Sequence, residues 1–207
     1  MDRSAILLAG GFSSRFGQDK ALLDLNGKPL IRHVFDAIKK TVDEIIVVTN
    51  SNERAQNYLK LLGPKTNFAL DQDEAKGPLV GALTGFEKAK GKYSLLLPSD
   101  TPFVSGGIVD LLFDLCLSRS AVIPRWPNTQ IEPLHAVYRT EIALDAATKA
   151  VDEGNFKVIT MLDYMHSIRY LSTLVIQEID PDLRTFFNVN SPIDLKKAES
   201  MLKARHR

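Results

Sequence analysis

A glycine-rich segment near the N-terminus carries residues suited to holding a polyanion. It runs from Leu8 to Lys20 and directly follows a short apolar stretch. Gly10 and Gly11 lack a Cβ and tolerate positive φ, so the backbone there can approach a ligand closely. Successive N–H groups in such a turn form a concave anion site, and Arg15 and Lys20 add mobile positive charge. We therefore predict that the segment binds nucleotide phosphates; the alternative is a plain strand-to-helix turn.

A second candidate is Asp100, which lies just beyond the apolar run Tyr93–Pro98. If that run is a strand of an open α/β sheet, a carboxylate at its C-terminal end points into the ligand crevice. Mg²⁺ prefers one or two carboxylates together with phosphate oxygens. Asp100 is therefore the predicted metal ligand, and Mg²⁺ is the predicted cofactor. The alternative is a turn in which Asp100 bonds to the backbone ahead of Pro102.

The elements that must position these residues alternate between apolar, strand-like runs and amphipathic helical segments. Apolar runs separated by helices indicate a parallel sheet covered on both faces. The sequence therefore predicts a single α/β domain with a three-layer α/β/α, Rossmann-like, mostly parallel sheet. The predicted strands are Ser4–Leu8, Glu44–Thr49, Asn67–Leu70, Tyr93–Pro98, Ala121–Pro124, Leu134–Tyr138, Ile168–Leu171 and Leu174–Glu178, and the predicted helices are Pro29–Lys40, Glu53–Leu62, Pro78–Lys90, Gly107–Leu117, Glu141–Val151, Lys157–Tyr164 and Ser191–Lys203.

Composition restricts the compartment and the classes of partner. The net charge of +1 gives no reason to expect a nucleic acid, because proteins that bind one usually carry a concentrated basic surface. No run approaches 18 consecutive apolar residues, so a membrane span is not indicated. The single cysteine, Cys116, lies in an apolar stretch and is predicted to be a buried structural thiol. A lone cysteine suits a reducing compartment, and we expect a cytoplasmic protein.

The glycine-rich segment also supports a resemblance to a known family. It reads L-A-G-G-x-S-x-R-x-G-x-D-K, which resembles the signature of the molybdenum cofactor guanylyltransferase family at every fixed position. It is neither a P-loop nor the G-x-G-x-x-G of dinucleotide-binding sites. Related cytidylyltransferases usually have alanine where this chain has Gly10, which favours guanine over cytosine. The similarity continues through the D-T-P at Asp100 to Leu195, and it implies a sheet of the nucleotide-diphospho-sugar transferase type.

The resemblance implies further nucleotide contacts. Asp71, followed by G-P-L-V-G from Gly77, resembles a family segment whose aspartate and glycine contact the guanine nucleotide. Asp73 and Glu74 are alternatives to Asp71, and Gly77 is also explained as a helix start before proline. The implied nucleotide-binding residues are Leu8, Ala9, Gly10, Gly11, Lys20, Asn50, Asp71, Gly77 and Asp100, and the implied catalytic residues are Lys20, Arg15 and Asp100.

Asparagines occupy the remaining implied positions. Asn50 matches a family asparagine near the nucleotide, with Asn52 or simple turn chemistry as the alternatives. Near the C-terminus, N-V-N-S-P-I-D-L resembles the family's N-x-N-[ST]-P-x-D-L, whose asparagines lie by the pterin substrate. Asn188 and Asn190 are therefore the implied acceptor contacts. The alternative is that Asn190 and Ser191 form only a turn and a helix N-cap.

The resemblance implies a complete reaction. GMP would pass from Mg-GTP to the terminal phosphate of molybdopterin, with release of pyrophosphate. Residues 1–102 would form the nucleotide-binding half and residues 103–207 the acceptor-binding half, and other proteins of molybdenum cofactor biosynthesis or insertion would be further partners. Two other functions stay open: a cytidylyl- or sugar-phosphate nucleotidyltransferase with the same loop, and a non-catalytic, nucleotide-sensing domain.

Overall fold

The computed structural model describes residues 1–9, 12–13, 17–64, 66–71 and 77–204. Strands and helices alternate along this part of the chain. Three short 3₁₀ helices add to them, at Lys20–Leu22, Val158–Tyr164 and Arg184–Phe186. The strands are β1 (Arg3–Leu8), β2 (Phe12–Ser13), β3 (Gln18–Asp19), β4 (Asp24–Leu25), β5 (Lys28–Pro29), β6 (Glu44–Thr49), β7 (Asn67–Leu70), β8 (Tyr93–Pro98), β9 (Ala121–Arg125), β10 (Ala136–Arg139) and β11 (Ile168–Ser172), and the helices are α1 (Leu30–Ile38), α2 (Asn52–Leu62), α3 (Pro78–Lys88), α4 (Gly106–Cys116), α5 (Thr140–Asp152), α6 (Thr173–Ile176) and α7 (Pro192–Ala204).

Seven strands form one continuous sheet in the order β11-β9-β10-β8-β1-β6-β7. Strand β10 runs antiparallel to both of its neighbours, while the other described pairings within this seven-stranded sheet are parallel. The run β7-β6-β1-β8 has the order of a mononucleotide-binding half, in which ligands bind beyond the carboxyl ends of the strands. The carboxyl ends of these four strands therefore share one edge of the sheet.

The two faces of the sheet are each covered by helices. Because side chains alternate along a strand, Ala5 and Leu7 of β1 face the cluster that contains α1, α2 and α4. Ile6 faces the opposite cluster, which contains α3 and α5. All six residues of β6 are buried, since both faces of that strand are covered. This confirms the predicted three-layer, mostly parallel α/β fold.

A small hairpin, β4–β5, connects the start of the chain with its end. Its turn residues Asn26 and Gly27 have φ of 56° and 80°, as a two-residue type I′ turn requires. The Asn-Gly pair is a strong hairpin signal in a sequence, yet the predicted strands do not include this hairpin. Leu25 of the hairpin packs with Val189 and Ala198 in a third apolar cluster. The C-terminal segment is thereby packed against residues that follow the glycine-rich segment.

Three sequence predictions of elements need correction. The predicted strand Leu174–Glu178 is wrong, because α6 forms there and Ser172 Oγ accepts a hydrogen bond from Leu174 N at 3.3 Å. The segment predicted as a helix at Lys157–Tyr164 is a 3₁₀ helix from Val158. Strand β10 begins two residues later than predicted, because a turn precedes it. Other boundaries differ by one or two residues.

Among the described residues, no helix is both long and apolar enough to cross a membrane.

Candidate active site

The predicted catalytic lysine and aspartate meet at the carboxyl edge of the sheet. Asp100 follows β8, and Lys20 is the first residue of a 3₁₀ helix. Lys20 Nζ donates to Asp100 Oδ2 and, at 2.5 Å, to Asn190 Oδ1. The side chains of Lys20 and Asp100 are 17% and 15% exposed, so the ion pair is shielded yet within reach of a ligand. The structure thus brings together three side chains that are far apart in sequence.

The C-terminal segment is bonded directly to this site. Val189 N donates to the carbonyl oxygen of Asp100 at 3.0 Å. Ser191 Oγ accepts from Asp194 N at 3.2 Å, which confirms Ser191 as the N-cap of α7. The hydrogen bond from Ser191 Oγ holds the pKa of Asp194 below its usual range. These bonds fix the backbone on both sides of Asn190.

Two buried oxygens near the ion pair lack hydrogen-bond partners among the described residues. They are Oδ1 of Asp100 and Oδ1 of Asn188. A buried polar atom without a partner costs about 1–3 kcal/mol, so such atoms commonly await a ligand or ion. The predicted acceptor residues, Asn188 and Asn190, lie on either side of Val189, whose backbone is hydrogen-bonded to Asp100. Asn190 also accepts a hydrogen bond from Lys20.

Of the predicted nucleotide-binding residues that the structure describes, Leu8, Ala9 and Asp71 lie where parallel strands end. Leu8 is the last residue of β1, and Ala9 N donates to Val48 O at 2.8 Å. Asp71 follows β7, is 4% exposed, and its N donates to Thr49 O at 2.9 Å. These residues therefore occupy the same edge as Asp100.

Asn50 follows β6 at that edge. Its Oδ1 accepts a hydrogen bond from Arg54 Nη1 at 3.2 Å, across the first turn of α2. The side chain thus takes part in a local turn contact, as the alternative interpretation stated. Binding of a nucleotide by Asn50 stays a prediction.

Gly77 has a structural reason to be glycine. Its φ is 146°, and a Cβ there would lie 2.7 Å from the carbonyl oxygen of Phe156. Leu79 N donates to the same oxygen at 3.1 Å. Gly77 thus allows the start of α3 to pack against the chain near Phe156, and a contact with the nucleotide stays a prediction.

Several predicted residues lie outside the described part of the chain. They include the two adjacent glycines and the arginine of the glycine-rich segment, and both alternatives to Asp71. Their roles stay predictions. These residues are Gly10, Gly11, Arg15, Asp73 and Glu74.

Sequence reasoning missed a group of side chains beside the glycine-rich segment. Tyr58 and Arg54 of α2 both contact Asp19, which precedes Lys20. The fixed aspartate of the D-K pair was the available signal for Asp19. Nothing in the sequence indicated which face of α2 would meet it.

Cys116 lies in the core, away from the site. It is a free, buried cysteine, and burial raises the pKa of its thiol to about 12. A thiol with so high a pKa is protonated and unreactive at neutral pH. This confirms the prediction of a buried structural thiol.

The residues at the site fit the predicted metal in their donor chemistry. Asp100 Oδ1 is a hard oxygen ligand that is buried and lacks a partner within the described residues. No group of three or more His, Cys, Asp or Glu residues that could hold a metal occurs among the described residues. Mg²⁺ commonly binds through one or two carboxylates and substrate phosphates, so one carboxylate is a sufficient protein ligand.

A mononucleotide-binding sheet with a lysine–aspartate pair at its carboxyl edge defines a nucleotidyltransferase. The family described as the MobA-like NTP transferase domain matches residues 5–166. The chain belongs to this family, and within it to the molybdenum cofactor guanylyltransferases, as the following relatives show.

Two archaeal relatives are similar over nearly the whole chain. A probable molybdenum cofactor guanylyltransferase of Methanosarcina mazei is 35% identical, covering 94% of this chain and 88% of that protein. A probable molybdenum cofactor guanylyltransferase of Methanosarcina acetivorans is also 35% identical, covering 97% of this chain and 90% of that protein. The crystal structure of molybdopterin-guanine dinucleotide biosynthesis protein A from Archaeoglobus fulgidus superposes with a TM-score of 0.82 at 24% identity, covering 97% of this chain and 99% of that chain. At that identity the structural similarity shows a shared fold.

Proposed function

We propose that this chain transfers GMP from Mg-GTP to the terminal phosphate of molybdopterin, releasing pyrophosphate and forming molybdopterin guanine dinucleotide. The observation that carries the proposal is the meeting of Lys20, Asp100 and Asn190 beside the ends of the nucleotide-type strands. The named activity of the relatives, molybdenum cofactor guanylyltransferase, supports the choice of guanine.

The nucleotide would lie across the carboxyl ends of β1, β6 and β7. Backbone N–H groups of Gly10 and Gly11, with Arg15, would hold the phosphates after Leu8 and Ala9. Asn50, Asp71 and Gly77 would contact the base or ribose. Because guanine presents N–H donors on one edge, the buried carboxylate of Asp71 is a suitable acceptor for them.

Lys20 would act on the reacting phosphate. Its ammonium now lies between two oxygens, those of Asp100 and Asn190. A triphosphate carries more negative charge than this pair and would draw the ammonium onto the α-phosphate. Lys20 would there neutralise charge that grows in the transition state.

The acceptor would approach from the C-terminal segment. Asn188 and Asn190 would orient the molybdopterin phosphate in line with the α-phosphorus and the leaving pyrophosphate. The attacking phosphate is already an anion, so no general base is needed. Asp100 would hold Mg²⁺, which when bound neutralises phosphate charge. Catalysis then consists of positioning and charge neutralisation.

A thermal-shift panel followed by product analysis tests the proposal. A ligand that binds only the native state at 100 times its Kd stabilises it by about 2.7 kcal/mol. For a chain of this length, that corresponds to a rise in Tm of roughly 5–11 °C. With Mg²⁺ present, we expect the rise for GTP and not for CTP, UTP or ATP. A larger shift with CTP would indicate a cytidylyltransferase, and binding without pyrophosphate release in the presence of molybdopterin would indicate a nucleotide-sensing domain.

Two substitutions test the residue roles. We expect Lys20→Ala and Asp100→Ala each to lower kcat by about 10²–10³, the usual effect of removing a charge-stabilising group. Lys39→Ala is the control, because Lys39 makes an exposed ion pair with Asp36 on α1. Near-normal turnover in both site variants would refute the mechanism. Cytoplasmic location, the two functional halves and binding to other proteins of this biosynthesis stay predictions.

A further inference from the structure

A fully buried tyrosine connects the two ends of the glycine-rich segment. Tyr58 of α2 has no exposed surface. Its hydroxyl lies 2.6 Å from Asp19 Oδ2 and 3.0 Å from the carbonyl oxygen of Ala9. Arg54, one turn earlier on α2, places Nε 3.5 Å from the same Asp19 oxygen. One helix therefore contacts both the residue that follows β1 and the residue that precedes Lys20.

Asp19 connects α2 to the short helix that begins with Lys20. Its other oxygen, Oδ1, accepts a hydrogen bond from Ala21 N at 3.0 Å and so caps the 3₁₀ helix that begins with Lys20. The start of that helix is thus fixed relative to α2 by one carboxylate. Lys20 is the first residue of this 3₁₀ helix, so the direction of its side chain depends on the cap that Asp19 provides.

The same contacts affect where the ammonium of Lys20 goes. The carboxylate of Asp19 is adjacent in sequence and would otherwise compete for the lysine. Its Oδ2 is instead engaged by Tyr58 and Arg54, and Lys20 Nζ reaches Asp100 and Asn190. A phenylalanine at position 58 would fill the same apolar space, so packing alone does not explain the hydroxyl.

We propose that Tyr58 and Asp19 are positioning residues that fix the backbone at Lys20 before a nucleotide binds, so that its side chain is already directed to the place where the phosphates bind. The inference rests on the proposed function, since it assumes that Lys20 contacts the phosphates. Fixing a catalytic group in advance removes part of the ordering cost that binding and reaction would otherwise incur. The effect should fall on the triphosphate and on turnover, and not on the nucleoside.

A matched pair of substitutions separates positioning from packing. Tyr58→Phe and Tyr138→Phe each remove one hydroxyl from a fully buried ring, and the Tyr138 hydroxyl donates to Pro133 O at 2.6 Å. We expect both to lower Tm by a similar amount. Only Tyr58→Phe should raise the Kd for Mg-GTP or lower kcat, by about two- to tenfold, the range expected for one lost hydrogen bond. Its Kd for guanosine should stay that of the unaltered chain.

A double variant tests whether the effect of Tyr58 on catalysis depends on Lys20. In Lys20→Ala, adding Tyr58→Phe should change kcat by less than about twofold, because the group being positioned is gone. If Tyr58→Phe fails to fold, Asp19→Asn serves in its place, since an asparagine keeps an oxygen for Ala21 N and loses the charge. Unchanged Mg-GTP affinity and kcat in the position 58 or position 19 variant would overturn the positioning role alone. Failure of the unaltered chain to bind Mg-GTP would overturn the proposed function and this inference together.

Discussion

Buried polar atoms without hydrogen-bond partners among the described residues occur both at the candidate site and in the apolar core, and their surroundings distinguish the two cases. Asp100 Oδ1 and Asn188 Oδ1 belong to the candidate site, where a cation or the acceptor can satisfy them. His135 differs, because both of its ring nitrogens lack partners among the described residues while Phe186 packs edge-on at 5.4 Å. Its surroundings are apolar, with a cavity of about 10 Å³ beside it. The imidazole is therefore a core side chain in its neutral form.

His135 should make the protein sensitive to mild acid. Burial lowers its pKa from 6.5 to about 4 in the native state. The unfolded chain therefore binds more protons between pH 6.5 and pH 4, and the free energy of unfolding falls as the pH is lowered through that window. Above pH 6.5 the full stability is present. A shift of this size corresponds to a loss of up to about 3 kcal/mol, measurable as urea midpoints across the window.

A leucine at this position removes the titration. We expect His135→Leu to lose less stability than the unaltered chain between pH 6.5 and pH 4. The control is His166→Leu, because His166 is exposed. If the His135→Leu and unaltered curves run parallel over the whole window, another group causes the acid sensitivity.

At the scale of elements, α3 lies close against β1 at Gly85. A Cβ on Gly85 would overlap Cγ2 of Ile6 in β1. Alanine has a helix propensity about 1 kcal/mol better than glycine, whereas overpacking a core typically costs about 1–3 kcal/mol. We expect overpacking to dominate, so Gly85→Ala should lower the free energy of unfolding. Equilibrium urea unfolding measures the difference.

The opposing residue supplies the control. In Ile6→Ala the overlapping methyl group is absent, so adding Gly85→Ala should then be neutral or stabilising. The two effects of Gly85→Ala should differ by at least about 1 kcal/mol, which is within the range of coupling between residues in contact. Equal effects in both backgrounds would mean that α3 shifts freely on the sheet.

The sequence predicted the elements better than the contacts among them. Apolar runs such as EIIVVT located the parallel strands, and the rule that ligands bind at their carboxyl ends placed Asp100 at that edge, whereas Asp71 was implied by the family resemblance. The strand predicted at Leu174–Glu178 was wrong, because a few apolar residues fit a helix turn as well as a strand. The contact of Tyr58 with Asp19 depends on the rotation of α2, which local patterns do not determine.

At the scale of the whole molecule, the chain returns at its end to the residues near its beginning. The third apolar cluster joins Leu25 and Leu30 with Val189 and Ala198. Within the same segment, Val189 N binds the Asp100 carbonyl and Asn190 binds Lys20. Packing within this third cluster thus helps determine where the predicted acceptor residues Asn188 and Asn190 lie.

Loosening this cluster should therefore impair the use of acceptor more than equal damage elsewhere. Val189 and Val122 are both fully buried, in different clusters. Each valine-to-alanine change removes two methyl groups and leaves a cavity, at a cost of about 2 kcal/mol. For this chain length we expect each variant to lose roughly 4–8 °C in Tm.

Only Val189→Ala should also raise the KM for molybdopterin, because Asn188 and Asn190 flank the altered residue. A small misplacement of positioning groups has large kinetic effects, and we expect an increase of about tenfold. Steady-state assays well below both Tm values make the comparison, with Val122→Ala expected to keep the KM of the unaltered chain. If the two variants lose equal stability and share an unchanged KM, the C-terminal segment stabilises the fold without contacting the acceptor.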